Sequence, residues 1–268
     1  DYGQVVSDPK ALGTFLREQN LFLRRTRQEV GRELPPLNKI IQEVDYDQSE
    51  LDKIESLAKT LAVKVMQGSF VEKGQASRDL DIMVRHATGV SKAKPVAQYV
   101  RMIVESGEPV LLAGWHRDVY DIWAKELADL KPVFYTGTES PAQKEESKRK
   151  FISGESNLMI ISLRSGVGLD GLQERCQFVV LGELDWSPKV HEQIIGRIDR
   201  DKADGNNNHV TAIFLTSNSG SDPAIIDMLG LKSSQSSGIT DPLAAIDTTH
   251  TDESRIKLIA KKYLESAK

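Results

Sequence analysis

The chain has 268 residues, of which 39% are hydrophobic and 28% charged, and its formal net charge is −4. That is enough chain to bury a full core, in one large or two small domains, and too acidic overall for a surface that binds polyanions everywhere, so any nucleic-acid contact is local. No run of about 18 apolar residues marks a membrane span and the start does not read as a signal peptide, so no membrane partner is expected. The single cysteine, Cys176, excludes an internal disulfide and a cysteine zinc cluster. It fits a reducing compartment, and no metal site is expected.

The opening DYGQVVSDPK lacks an initiator methionine, so the chain is expected to be a piece of a longer protein. Residues 1–44 form one unit in this reading. A helical pattern runs from Pro9 to Asn20, Arg24, Arg25 and Arg27 make a basic cluster, and Pro35-Pro36 stops any helix before a short strand at 38–44. Taken alone, the arginines read as a solvated connector.

Residues 45–107 read as a helical insertion. Leu51, Ile54, Ala58, Leu61 and Val65 follow the spacing of an amphipathic helix over 45–66. A polar break is expected at 68–75, a second helix at 76–86, a turn at Gly89, and a third helix at 87–107 with Pro95 near its start.

Residues 108–218 carry the core. PVLLAG, PVFYTG, NLMIISL, QFVVLGE and HVTAIFLTS are short continuous apolar runs, the pattern of strands buried on both faces. Helical patterns lie between them, at Arg117–Leu130, from Ser140-Pro141 to about Ile152, and from Pro188. This alternation predicts an α/β fold with a parallel, doubly wound sheet, whose ligand-binding loops leave the carboxyl ends of the strands. From Ser217 on the chain turns serine-rich (SNSGSD, then KSSQSSG), and residues 219–268 read as a linker and a final charged helix over 252–267, packed as a brace or frayed.

Two stretches carry candidate chemistry. HEQIIGRIDRDK, 191–202, reads as a helix with Ser187 as N-cap and Pro188 at its first position. Val190, Ile194 and Ile198 form its apolar stripe, and Gln193, Arg197 and Arg200 fall within roughly 60° of one another on an adjoining face. Two guanidiniums beside an amide suit a polyphosphate. The plainer reading pairs these arginines with Glu192, Asp199 or Asp201 on a solvated face. The loop SLRSGVGLDGLQ, 162–173, follows a buried strand, and its glycines let backbone N–H groups approach an anion or a sugar. Asp170 is placed to accept from ribose hydroxyls and Arg164 to meet a phosphate, whereas a tight turn with an Asp cap is the plainer account. Glu183 and Asp185 are read as orienting their own loop, and His116 as an ordinary helix-start residue.

The order and spacing of these segments resemble the second RecA-like lobe of a superfamily-two helicase, closest to the Swi/Snf type. FLRRTRQEVGRELPPL resembles the lobe's entry and ATGVSKAKPVAQYV the stretch before its first strand. VLLAGWH is similar to motif IV, ISLRSGVGLD to motif V, LGELDWSP to the element before motif VI, and QIIGRIDR to motif VI. Two departures stand out: Asp201-Lys202-Ala203 replaces the usual ending of motif VI, and Gly168-Leu169-Asp170 is nearer the DEAD-box style. The resemblance implies a RecA-like parallel sheet flanked by helices, a P-loop NTPase-type lobe, acting on ATP with Mg2+. Arg197 and Arg200 would be arginine fingers, and Gln193, Gly168 and Asp170 would contact nucleotide. Arg164, Ser165, Gly166 and Trp186 would contact nucleic acid, Trp186 having a core position as its equal alternative. No Walker-type loop occurs in the chain, so the phosphate cradle and magnesium ligands would lie in an N-terminal lobe of the same full-length protein. Double-stranded DNA is the expected partner. The alternatives are a lobe of another DNA or RNA helicase, and a binding or regulatory module that hydrolyses nothing. The expected location is cytoplasmic, with a bacterial or phage-type source, or nuclear if the source is eukaryotic.

Overall fold

The computed structural model describes residues 37–164, 169–200, 209–230 and 252–265. The expected helix at Pro9–Asn20, the basic cluster at Arg24–Arg27, the 201–203 departure and the KSSQSSG stretch lie outside the described residues.

Six strands form one all-parallel sheet in the order β1-β6-β5-β2-β4-β3. They are β1 (Asn38–Glu43), β2 (Val110–Gly114), β3 (Val133–Tyr135), β4 (Leu158–Ser162), β5 (Phe178–Leu181) and β6 (Thr211–Thr216). Each apolar run of the sequence supplies a strand because its residues alternate between two covered faces. Val110, Leu112, Leu158 and Ile160 enter one core cluster; Leu111, Ala113, Met159 and Ile161 enter the other.

The helices differ more from expectation. They are α1 (Gln48–Gln67), α2 (Phe70–Glu105), α3 (Arg117–Glu126), α4 (Pro141–Ser153), α5 (Pro188–Ile195), α6 (222–230) and α7 (Asp252–Glu265). The expected break at 68–75 shrinks to Gly68-Ser69. There the Glu72 carboxylate accepts from the Ser69 N–H at 2.9 Å and hydroxyl at 2.6 Å, starting α2 at once. Gly89 makes no turn, and Pro95 lies inside the 36-residue α2 rather than near a start. Proline cannot donate to the carbonyl four residues back. The Asp47 N–H takes that place, donating to Ser91 O at 2.8 Å, so the helix continues without an orphaned acceptor.

Residues 45–107 are accordingly not set apart from the core. Ala93, Val96, Ala97, Val100 and Val104 of α2 cover one sheet face together with Val119 and Trp123 of α3. The Trp123 ring fills a slot left by two glycines at adjacent strand ends: a Cβ at Gly114 or at Gly182 would come within 2.6 Å of it. Its indole N–H donates to Ala93 O at 3.0 Å, tying α3 to α2.

The SNSGSD stretch is no linker. Ser217, Ser221 and Asp222 are buried, and Asp222 meets Lys92 of α2 at 2.7 Å. The final helix is a brace, with Ile256, Ile259 and Ala260 buried and contacts made mainly to α1 and also to α2. No helix among the described residues is long and apolar enough to cross a membrane.

Candidate functional site

α5 is held in place by its apolar residues. Of the expected stripe, Ile194 and, just past the helix end, Ile198 are buried and Val190 packs against the same core; Ile195, outside that stripe, is buried as well. Pro188 occupies the first turn and Ser187 the N-cap position, although the Ser187 side chain makes no cap hydrogen bond. Its backbone N–H instead donates to Asp185 Oδ1 at 2.9 Å.

The helix stops at Ile195, so Arg197 and Arg200 do not share a helical face with Gln193. The chain tightens into turns, Ile198 N donating to Ile195 O at 3.1 Å and Arg197 N to Ile194 O at 3.0 Å. Arg200 Nε reaches back to Gly196 O at 2.9 Å, satisfying a carbonyl that the ended helix leaves open. Arg200 Nη1 donates to Asp170 Oδ1 at 2.6 Å. The two stretches singled out in the sequence therefore meet, and Arg200's partner is the ribose candidate rather than a neighbour on its own helix. Arg197 is different: its Nε is buried and has no hydrogen-bond partner. An unmet buried donor costs roughly 1–3 kcal/mol. Gln193 is exposed on α5. Gly168, Ser165 and Gly166 lie outside the described residues.

At the carboxyl ends of the strands a second group assembles. Gly114 of β2 and Ser162 of β4 are in register, and Leu163 N donates to Gly114 O at 2.8 Å. Trp115, the first residue after β2, and Arg164, the second after β4, are thereby brought together. The Arg164 guanidinium carbon lies 4.6 Å from the centre of the Trp115 ring. Asp185 fastens its own loop, as expected, whereas Glu183 fastens the loop after β2. Glu183 Oε2 accepts from Trp115 N at 2.6 Å and His116 N at 2.9 Å, while Oε1 meets His116 Nδ1 at 2.6 Å. Asp185 Oδ2 lies 3.3 Å from Arg85 and 3.6 Å from Arg164. Burial alone would raise the Asp185 carboxyl, but the Ser187 N–H bond and the charges of Arg85 and Arg164 hold it below the usual carboxylate range.

Trp186 is corrected to a core residue. It is 3% exposed, and its indole N–H donates to Asp81 Oδ1 at 2.6 Å, so it presents no open ring to a duplex. The tryptophan the sequence reading missed is Trp115. Its signal was its place directly after a buried strand, at the loop end of a parallel sheet.

His191 links the two groups. Its Nε2 accepts from the Asp185 N–H at 3.0 Å and its ring meets Phe214 edge-on at 5.5 Å. Burial, outweighing the nearby Asp185 charge, lowers its pKa to about 4. Folding thus excludes a proton that the unfolded chain takes up near the ordinary value of about 6.5. The stabilisation is fully present above that value and is lost as pH falls from 6.5 towards 4, up to roughly 3 kcal/mol. Denaturation midpoints measured from pH 7.5 to 5 are expected to fall more steeply for the native chain than for His191→Gln. Parallel curves would refute the assignment.

No protein-family model matches the chain. Curated proteins do match, among them two named SWI/SNF-related matrix-associated actin-dependent regulator of chromatin subfamily A-like protein 1. The one from Xenopus tropicalis is 26% identical over 188 residues, 69% of this chain and 20% of that protein. The one from Xenopus laevis is also 26% identical over 188 residues, 69% of this chain and 19% of that protein. The chain thus spans about a fifth of the length of the curated relatives it matches. Among solved structures, the Sulfolobus solfataricus SWI2/SNF2 ATPase core domain aligns with a TM-score of 0.63 at 13% identity, covering 96% of this chain and 56% of that one. The same core in complex with double-stranded DNA gives 0.61 at 14%, covering 94% and 54%. The C-terminal part of the Fun30 ATPase domain gives 0.58 at 14%, covering 88% of this chain and 99% of that one. In its motifs, its sequence relatives and its six-stranded parallel fold, this chain resembles the second, C-terminal RecA-like lobe of a Swi/Snf-type helicase-like ATPase.

Proposed function

We propose that the chain is the C-terminal lobe of a DNA-dependent ATPase, one that completes an ATP site whose phosphate cradle belongs to an N-terminal lobe of the full-length protein. The observation that carries this reading is Arg197, whose Nε is buried without a partner three residues before an arginine that is paired. Among the described residues two buried side-chain nitrogens lack a partner, Arg197 Nε and Arg85 Nε. Arg85 is already engaged through Nη2 with Leu184 O and Asp185; for Arg197, just past the end of α5, a ligand that arrives from outside accounts for the open donor.

ATP with Mg2+, when bound, supplies the transferring phosphoryl group and part of its charge neutralisation. The described residues hold no cluster of three His, Cys, Asp or Glu side chains suited to a metal ion, so the magnesium ligands are assigned to the first lobe. In this reading Arg197 and Arg200 are arginine fingers that stabilise charge developing on the γ-phosphoryl. Asp170 holds Arg200 until nucleotide arrives and then faces the ribose. Gln193, exposed on α5, positions nucleotide or the attacking water, and Gly168 is a further nucleotide contact. On the opposite task, Arg164, Ser165 and Gly166 contact the nucleic-acid backbone. Double-stranded DNA is the favoured partner because the similar Sulfolobus core is solved with it. Both curated relatives are eukaryotic, which favours a nuclear location and leaves the bacterial or phage-type source without support.

The isolated chain is expected to bind ATP weakly, to hydrolyse none, and to bind duplex DNA modestly with strong salt dependence, since only a local patch on an acidic chain contributes. Robust turnover by contaminant-free chain, or tight DNA binding indifferent to several hundred millimolar salt, would contradict this reading.

A further inference from the structure

We infer that Trp115 is a positioning residue for nucleic-acid binding, the platform that holds Arg164 in a preset pose for a backbone phosphate. The inference rests on the reading of Arg164 as a phosphate contact and adds to it Trp115, which lies in the stretch similar to motif IV but carries no role of its own in the sequence reading.

The geometry is built from both sides. Below the guanidinium lies the Trp115 ring, 4.6 Å from the guanidinium carbon. The ring in turn is fixed at its root, because the Trp115 N–H donates to the buried carboxylate of Glu183 at 2.6 Å. To one side lies Asp185, 3.6 Å from Arg164 Nη2 and itself 5% exposed. Asp185 cannot swing away: Ser187 N donates to its other oxygen at 2.9 Å, Arg85 shares Oδ2 at 3.3 Å, and its own N–H is bound by His191 at 3.0 Å. The Arg164 side chain remains 59% exposed, so the rest of the guanidinium faces water.

An arginine with one face on an indole and one edge near a fixed carboxylate has lost most of its rotamer freedom before any ligand binds. A free arginine surrenders roughly 0.5–1.5 kcal/mol of side-chain order on binding. Here folding has already imposed that order, so a phosphate gains a donor fork without ordering it. A guanidinium rather than an ammonium is required, because only the planar group stacks on a ring and still presents N–H groups at its edge.

The test is a double-mutant cycle on the 268-residue chain, read by fluorescence anisotropy of labelled duplex DNA at several salt concentrations. Arg164→Ala is expected to weaken binding and lower the slope of log K against log salt by about 1. Trp115→Ala is expected to weaken binding severalfold in the native background and to add nothing in the Arg164→Ala background. Trp115→Phe, which keeps a ring, recovers most of the loss. Trp123 and Trp186, the other two tryptophans, are buried, so quenching of Trp115 emission by DNA is expected and should disappear in Arg164→Ala. Equal losses from Trp115→Ala in both backgrounds, or no loss in either, would overturn the positioning role while leaving DNA binding intact. A native chain with no salt-sensitive binding at all would instead overturn the function on which the inference rests.

Discussion

In the full-length protein, Arg197→Ala or Arg200→Ala is expected to lower kcat roughly 10³-fold or more, the usual consequence of losing an arginine finger. That corresponds to about 4 kcal/mol of transition-state stabilisation. Nucleotide affinity should change far less, because the finger acts on charge that develops only as the phosphoryl transfers. Arg→Lys should rescue poorly, since a single ammonium lacks the planar fork. The two arginines differ in what their loss does to folding. Arg200 is tied to Asp170 in a half-exposed pair, worth at most about 1 kcal/mol. Arg197→Ala removes a buried donor that has no partner, so stability should hold or rise while turnover collapses. Steady-state ATPase rates at saturating duplex DNA, beside thermal unfolding of the same variants, check both halves. If the arginines were only a solvated face, kcat would stay near normal in well-folded protein.

The second large effect concerns Lys92 and Asp222, 1% and 2% exposed. Lys92 Nζ donates to Leu215 O at 2.6 Å and to Asp222 Oδ2 at 2.7 Å, and Asp222 also accepts from Ser217 N at 2.9 Å. This knot fastens the end of β6 and the start of α6 beneath α2. Asp222→Ala strands an ammonium in the core and is expected to cost about 3–5 kcal/mol. Replacing both, as Lys92→Met with Asp222→Leu, removes the stranded charge and should recover much of that loss. Denaturant midpoints of the two variants decide it: a loss below about 1 kcal/mol for Asp222→Ala would show the pair is not a structural tie.

Five of the six strands were legible as continuous apolar runs, and the RecA-like fold followed from the spacing of motifs; the edge strand β1, NKIIQE, is exposed along its length and is no such run. What was not legible came from contacts between distant segments. Pro95 reads as a helix start until Asp47, far back in the chain, supplies the missing donor to Ser91 O. SNSGSD has a linker's composition, yet Thr88, 133 residues before Ser221, accepts its N–H and buries it. In the site, the setting of the arginines was not legible. Periodicity carried the helix through Arg200, whereas α5 ends at Ile195 and Arg200 turns back to close it. The two tryptophans Trp186 and Trp115 were placed by contacts of the same distant kind. One is drawn into the core by Asp81; the other is left at a strand end where the register of β2 and β4 delivers Arg164 to its face.

The central claim is that Arg197 acts on the transition state of phosphoryl transfer at a site shared with a first lobe. Affinity for ADP with aluminium fluoride, which imitates the transferring phosphoryl, measures this directly in protein carrying both lobes. Arg197→Ala is expected to bind ADP with nearly native affinity and to lose affinity for the fluoride complex by about 10²-fold or more. Native affinity for both ligands in the variant would contradict the account.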